Sequence, residues 1–210
     1  FAPIFGVILL VAGGILYTFY VFVATMPRSN SLTSGSAPYE SSDTLISKVP
    51  DQKYTTPQLR SDNFTFGSKD APVKIFEFSD FSCPYCKIMA GSLKAALQKH
   101  PEVLLVWKDF PVTALHPGAT EAHQAARCAG EQNKFWEYHD KLFEAQGTFS
   151  RVTFLSIAQS LGLKPSSFAA CLDDASTLQT IEADIQEGND LSIDGTPYLF
   201  IGDQQFSGVL

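Results

Sequence analysis

A β-rich run, Val73-Lys74-Ile75-Phe76-Glu77-Phe78, is followed five residues later by Cys83-Pro84-Tyr85-Cys86, and the cysteine pair opens a helical pattern. Ile88, Met89, Leu93 and Leu97 share one face of residues 84–99, and Pro101 stops the helix. Val103-Leu104-Leu105-Val106-Trp107 then reads as a second strand. A β-α-β unit of this spacing suggests parallel strands joined by a right-handed crossover. It therefore commits the chain to an α/β fold and places Cys83 at a strand-to-helix turn.

Beyond the second strand the pattern turns helical. Residues 119–131, 134–145, 152–161, 166–172 and 177–187 all carry helical periodicity, with Gly162 and Pro165 as punctuation. Tyr198-Leu199-Phe200-Ile201 is a strand, Gly202-Asp203 a turn, and Gln204-Gln205-Phe206 the returning strand. The order is β-α-β, a helical block at about 115–190, then a hairpin. No internal repeat is present.

The first 26 residues contain no charge, and the first charged residue is Arg28. A spanning helix needs about 20 apolar residues, so one N-terminal transmembrane helix is expected over 1–26. A cleaved signal peptide would have a shorter apolar run ending in a small-x-small site, and Val23-Ala24-Thr25-Met26 is a poor one. The chain starts with Phe1 and has no positive flank before it, so a fragment of a longer protein is expected. Residues 27–62 are rich in Ser, Thr and Pro without apolar periodicity, which predicts a flexible tether to a domain spanning 63–210. The net charge of −7 and the lack of a basic stripe argue against nucleic acid as a partner.

The chain has four cysteines: Cys83, Cys86, Cys128 and Cys171. At a helix start, unpaired N–H groups and the helix dipole favour a thiolate at Cys83. Pro84 suits the first helical position. Cys86, one turn on, is the expected resolving thiol. A stabilised thiolate favours the reduced form and makes the disulfide a better oxidant. Two other readings compete. A structural zinc site would need four ligands at knuckle spacing, which Cys128 and Cys171 do not supply, so no metal or other cofactor is expected. A purely structural Cys83–Cys86 bridge closes too small a loop to constrain the unfolded chain much.

The segment Phe78-Ser79-Asp80-Phe81-Ser82-Cys83-Pro84-Tyr85-Cys86 resembles the active-site stretch of the DsbA-like branch of the thioredoxin superfamily. Gly195-Thr196-Pro197-Tyr198-Leu199-Phe200-Ile201-Gly202 is similar to that family's cis-proline loop. His116-Pro117, Ala126-Arg127-Cys128-Ala129 and Lys134-Phe135-Trp136-Glu137-Tyr138-His139-Asp140 resemble its inserted helices. The likeness covers roughly residues 64–210. It implies a thioredoxin-like fold with a helical insertion, a cis bond before Pro197, and the Thr196 backbone beside Cys83. It also implies a buried acid at Glu77 that relays a proton to or from Cys86. The alternative for Glu77 is a solvent-facing residue paired with Lys108. His116 and His139 are read as structural. Where some relatives carry histidine between the cysteines, this chain has Tyr85.

Cys128 and Cys171 are expected to form a structural disulfide, since an even cysteine count fits an oxidising compartment. Two buried thiols or a second redox relay are the alternatives. The family normally adds a helix after the last hairpin, whereas this chain stops at Leu210, so a truncated C-terminal helix is expected. The implied activity is disulfide formation in extracytoplasmic proteins. The implied partners are reduced or misoxidised protein substrates and a membrane redox partner for recycling, with the domain on the periplasmic side of the inner membrane. A reductase or isomerase fed with electrons across the membrane, and a non-catalytic tethered binding or chaperone module, are the competing readings. Thr196 before Pro197 is compatible with the former, although an isomerase needs a dimerisation module that the tether lacks.

Overall fold

The computed structural model describes residues 6–12, 15–21 and 56–210. Strands β1 (Gly6–Ala12) and β2 (Ile15–Val21) pair antiparallel, with Gly6 opposite Val21 and Ala12 opposite Ile15. Residues 6–12 and 15–21 are thus strands, and the single helix expected over 1–26 is not confirmed. Their Val, Ile, Tyr, Phe and Thr content suits strands, and Gly13-Gly14 at the middle of a helix would cost about 1 kcal/mol per glycine. Among the described residues no helix is long and apolar enough to cross a membrane.

Residues 56–210 build a five-stranded sheet. Its strands are β3 (Thr65–Phe66), β4 (Val73–Ser79), β5 (Val103–Asp109), β6 (Tyr198–Ile201) and β7 (Gln204–Ser207), in the order β3-β5-β4-β6-β7. β4 and β5 are parallel, with Glu77 opposite Trp107. β6 lies antiparallel on the other side of β4, with Glu77 opposite Leu199. β4 is therefore central, which is why Ile75 to Ser79 is buried without a break. The expected β-α-β unit is present, with α1 (Pro84–Leu97) as its crossover.

Each face of the sheet has its own core. Ile75, Leu105 and Leu199 meet Met89 and Leu93 of α1. On the other face Phe76, Phe78, Leu104, Val106, Tyr198 and Phe200 pack with Phe110, Leu191 and Ile193. Between β5 and β6 come α2 (Ala119–Gly130), α3 (Phe135–Glu144), α4 (Arg151–Ser160), α5 (Pro165–Leu172) and α6 (Ser176–Asp190). These are the five helices read from the sequence, with ends shifted by at most three residues. Phe135, Tyr138, His139, Leu142 and Phe143 bury one face of α3, the spacing an amphipathic helix requires. Ser150 caps α4 by accepting the Thr153 N–H. Cys128 of α2 and Cys171 of α5 form a disulfide with Cα atoms 5.7 Å apart.

Two features escaped the sequence patterns. β3 has only two residues, paired with Val106 and Leu105, too few to show alternation. The end of the stretch read as tether is packed on the domain: Pro57 is buried, and Arg60 binds Asp184 at 2.6 Å and Glu187 at 3.1 Å. Lys108 Nζ donates to the Gln58 carbonyl at 2.8 Å. The remainder of that stretch, through residue 55, lies outside the described residues.

Candidate active site

β4 ends at Ser79, three residues turn, and Cys83 caps the N-terminus of α1 with extended backbone (φ −79°, ψ 122°). Pro84 occupies the first turn, where no N–H is missed. The Thr196-Pro197 bond is cis. Cys83 Sγ donates to the Thr196 carbonyl at 3.3 Å. The hairpin β6–β7 thus brings residues 196 and 197 to a cysteine more than a hundred positions away.

Cys83 and Cys86 are both free thiols, and both are buried. Cys86 is the deeper of the two and accepts the Asp80 N–H at 3.4 Å. The Cys86 thiol donates to Cys83 sulfur, and this is the main reason the Cys83 pKa falls to about 6. Burial opposes the fall. The first-turn N–H groups of Cys86 and Tyr85 and the Thr196 side chain add to it. Helix position alone named only the N–H contribution, and the larger one comes from Cys86. Burial and the adjacent Cys83 sulfur drive the Cys86 thiol strongly upward. One sulfur is thereby prepared to carry charge and the other to hold a proton.

Glu77 lies on the α1 side of β4 and is only 1% exposed. Its rival reading, a pair with Lys108 in solvent, is not formed. Lys108 is itself buried and binds Glu187 at 2.7 Å and Asp184 at 3.4 Å. Burial pushes the Glu77 carboxyl up to about 7, against a smaller pull from Ser79. Neither Glu77 Oε1 nor Ser79 Oγ completes a hydrogen bond of good geometry among the described residues. Ser79 nevertheless lies near enough to both Glu77 and Cys86 to restrain the rise in each. A cavity of about 330 Å³ opens beside Glu77, walled by Leu93, Leu105, Trp136 and His139 among others. His139 Nε2 is buried without a hydrogen-bond partner among the described residues, while its Nδ1 binds Asp140 at 3.0 Å.

Three supporting groups were not singled out from the sequence. Gln146, just past α3, donates from Nε2 to the Phe81 and Cys83 carbonyls at 2.8 and 2.9 Å. Asp80 binds Ser82, Val112 and His116. Behind Asp80, His123 and Arg127 of α2 both bind Asp109, and Arg127 also binds Asp184 at 2.9 Å. Lone polar residues in helices carry no periodic signal, so only the fold discloses this network. Cys128 and Cys171, bonded to each other, are not available to complete a zinc set with Cys83 and Cys86.

Among curated proteins, the chain is 34% identical over 142 residues to a protein of Salinispora arenicola named Na(+)/H(+) antiporter NhaA 1, covering 68% of this chain and 22% of that one. It is 29% identical over 208 residues to one of Salinispora tropica named Na(+)/H(+) antiporter NhaA 3, covering 97% of this chain and 30% of that one. The chain thus spans between about a fifth and a third of the length of these relatives. Among solved structures, a thioredoxin-like oxidoreductase of Silicibacter pomeroyi DSS-3 matches with a TM-score of 0.66 and 24% identity, over 72% of this chain and 86% of that one. The thiol-disulfide exchange protein alpha-DsbA2 of Wolbachia pipientis matches with a TM-score of 0.66 and 24% identity, over 71% and 81% of the two chains. These structural likenesses show the DsbA-like fold, a thioredoxin sheet with helices inserted between β5 and β6. The thioredoxin family model matches residues 60–209, and the chain belongs to the thioredoxin family.

Proposed function

We propose that this thiol–disulfide oxidoreductase works in the oxidising direction, forming disulfides in protein substrates. The observation that carries the reading is the asymmetric pair: Cys83 held as a thiolate near neutral pH, Cys86 held protonated behind it. Support for the Cys83 thiolate stabilises the reduced enzyme and so strengthens the disulfide as an oxidant. A substrate thiolate attacks Cys83 Sγ of the oxidised pair. The substrate–Cys83 bond forms, the Cys83–Cys86 bond breaks, and Cys86 leaves with the electron pair. Glu77 supplies the proton that Cys86 takes up. A second substrate thiolate then attacks the substrate sulfur and releases Cys83 as thiolate. The substrate has lost two electrons and the enzyme has gained them. Thr196, presented by the cis bond, offers main chain for an extended substrate segment to pair with. A membrane oxidant would restore the disulfide.

The Cys128–Cys171 bridge supports an oxidising, extracytoplasmic setting. The uncharged residues 1–26 support attachment to a membrane. The Salinispora tropica relative adds to this, because a match over 97% of the chain runs through most of that stretch in a protein named as an antiporter. The domain is then a redox module carried by a larger membrane protein. Two measurements test the reading: oxidation of a reduced, unfolded protein by the chain, and titration of the Cys83–Cys86 pair against glutathione. We expect rapid oxidation that Cys83→Ala abolishes. A potential near that of thioredoxin would favour the reductase reading and overturn this one.

A further inference from the structure

The mechanism above makes no use of Asp80, a buried carboxylate three residues before Cys83. Both of its oxygens are engaged. Oδ1 accepts the Ser82 N–H at 2.7 Å within the same loop. Oδ2 accepts the Val112 N–H at 2.9 Å and His116 Nδ1 at 2.8 Å, both from the segment after β5. His123 Nε2 of α2 stands 3.7 Å from Oδ1, and its other nitrogen binds Asp109 at 2.6 Å. The main chain of Asp80 faces the redox pair. Its carbonyl accepts the Cys83 N–H at 3.0 Å, and its N–H donates to Cys86 Sγ at 3.4 Å. One residue therefore meets both cysteines through its backbone while its side chain is fastened to its own loop and to the segment after β5. Removing a carboxylate from water costs several kcal/mol, more than a simple turn would need, since a neutral Asn or Ser can shape one.

We propose that Asp80 is the positioning residue of the dithiol: its fastened carboxylate fixes the loop so that its own N–H stays aimed at Cys86 Sγ. The inference rests on the reading of Cys83 as the attacked sulfur and Cys86 as its partner. The Asp80 N–H polarises the Cys86 thiol, and that thiol donates to Cys83. When the fastening is lost the loop relaxes, the Cys86 donation weakens, and the Cys83 thiolate loses support. A carboxylate acting only through its charge would have the opposite effect. Negative charge beside the pair disfavours a thiolate, so removing it would help one form. The two roles differ in sign. The titratable and charged groups facing this centre are His116 from the segment after β5 and His123 from α2, with Asp109 and Arg127 behind it. Glu77 on β4 and the two cysteines complete the set.

The test is the rate of Cys83 alkylation by iodoacetamide as a function of pH, together with the equilibrium of the pair against glutathione, on the full chain. Asp80→Asn keeps the size but turns one oxygen into an amide nitrogen that cannot accept the Ser82 or Val112 N–H, so a fastening is lost together with the charge. His116→Ala removes one fastening at the protein surface, and His116→Gln keeps a side-chain donor there. In Asp80→Asn and His116→Ala the alkylation midpoint should rise by about one pH unit. The glutathione equilibrium should shift by roughly tenfold toward the disulfide. His116→Gln should recover most of both. A midpoint that stays or falls in Asp80→Asn overturns the proposal. If Asp80→Asn does not fold, the His116 pair decides: an unchanged midpoint in His116→Ala, or equal shifts in His116→Ala and His116→Gln, overturns it. A wild-type chain with an ordinary thiol midpoint and no exchange with glutathione would instead defeat the redox reading on which the proposal stands.

Discussion

Glu77→Gln should make the protein more stable at pH 8 and change it little at pH 4. The carboxyl is moved by burial from 4.5 to about 7. Below pH 4.5 it is protonated in both the folded and the unfolded chain, and its burial is then that of a neutral acid. As pH rises from 4.5 to 7 the unfolded chain releases the proton first, so the folded state holds more protons and stability declines. Above pH 7 the folded state carries a buried charge, and the loss is complete. Each tenfold change in proton affinity is worth about 1.4 kcal/mol, so the wild type loses roughly 3 kcal/mol across this window. Glutamine has no proton to lose and is spared the decline. Urea unfolding of both proteins in the same redox buffer at pH 4, 6 and 8 measures the effect. The advantage of the variant should grow by roughly 3 kcal/mol between pH 4 and pH 8. An advantage independent of pH would refute the assignment of a buried, proton-holding carboxyl. The same variant should slow the exit of Cys86 in single-turnover exchange, because its proton source is gone.

Replacing both Cys128 and Cys171 with Ser opens a loop of 43 residues and should cost about 4 kcal/mol in the chain-entropy picture, read from urea midpoints. Arg127→Met leaves Asp109 and Asp184 buried without their shared cation. It should cost about 3–5 kcal/mol, seen as a lower melting temperature. Gly188→Ala puts a methyl group 2.5 Å from the Phe110 ring and 3.3 Å from Phe78. Denaturant unfolding should show a loss of roughly 1–3 kcal/mol from this crowding.

The order of elements was legible because local rules govern it. Val73 to Phe78 is a run of strand formers that the structure buries on both faces from Ile75 onward, and α3 carries its apolar residues at helical spacing. Pro84 and Pro165 mark helix starts that the structure keeps. Cys83 and Cys86 could be placed for the same reason, since a strand-to-helix turn is a local event. What lay hidden depends on contacts between distant residues. Asp80 meets His116, and Gln146 meets the Cys83 carbonyl, and neither pairing leaves a periodic trace. Arg60 reads as part of a polar linker until its partners Asp184 and Glu187 appear beside it. The uncharged stretch at 1–26 was read as a helix from hydropathy, which by itself does not separate helix from strand. Its β-branched and aromatic residues suit the strands Gly6–Ala12 and Ile15–Val21.

The two cysteine pairs of this chain are alike in burial, Cys83 being 5% exposed and Cys171 7%, and differ in what surrounds them. Cys83 sits where a loop meets a helix, next to the exposed Tyr85 and Ile88. Cys128 and Cys171 are inside the helical insert, packed among Tyr138, Phe154 and Phe168. Exchange requires a thiolate to approach in line with the bond it breaks. Burial alone therefore does not tell the two pairs apart; the helix start and the Thr196 carbonyl beside Cys83 do. An enzyme that trades disulfides must keep one of its own out of exchange, and here the two pairs are set apart by the groups that support a thiolate at Cys83 and not by how deeply their sulfurs are buried.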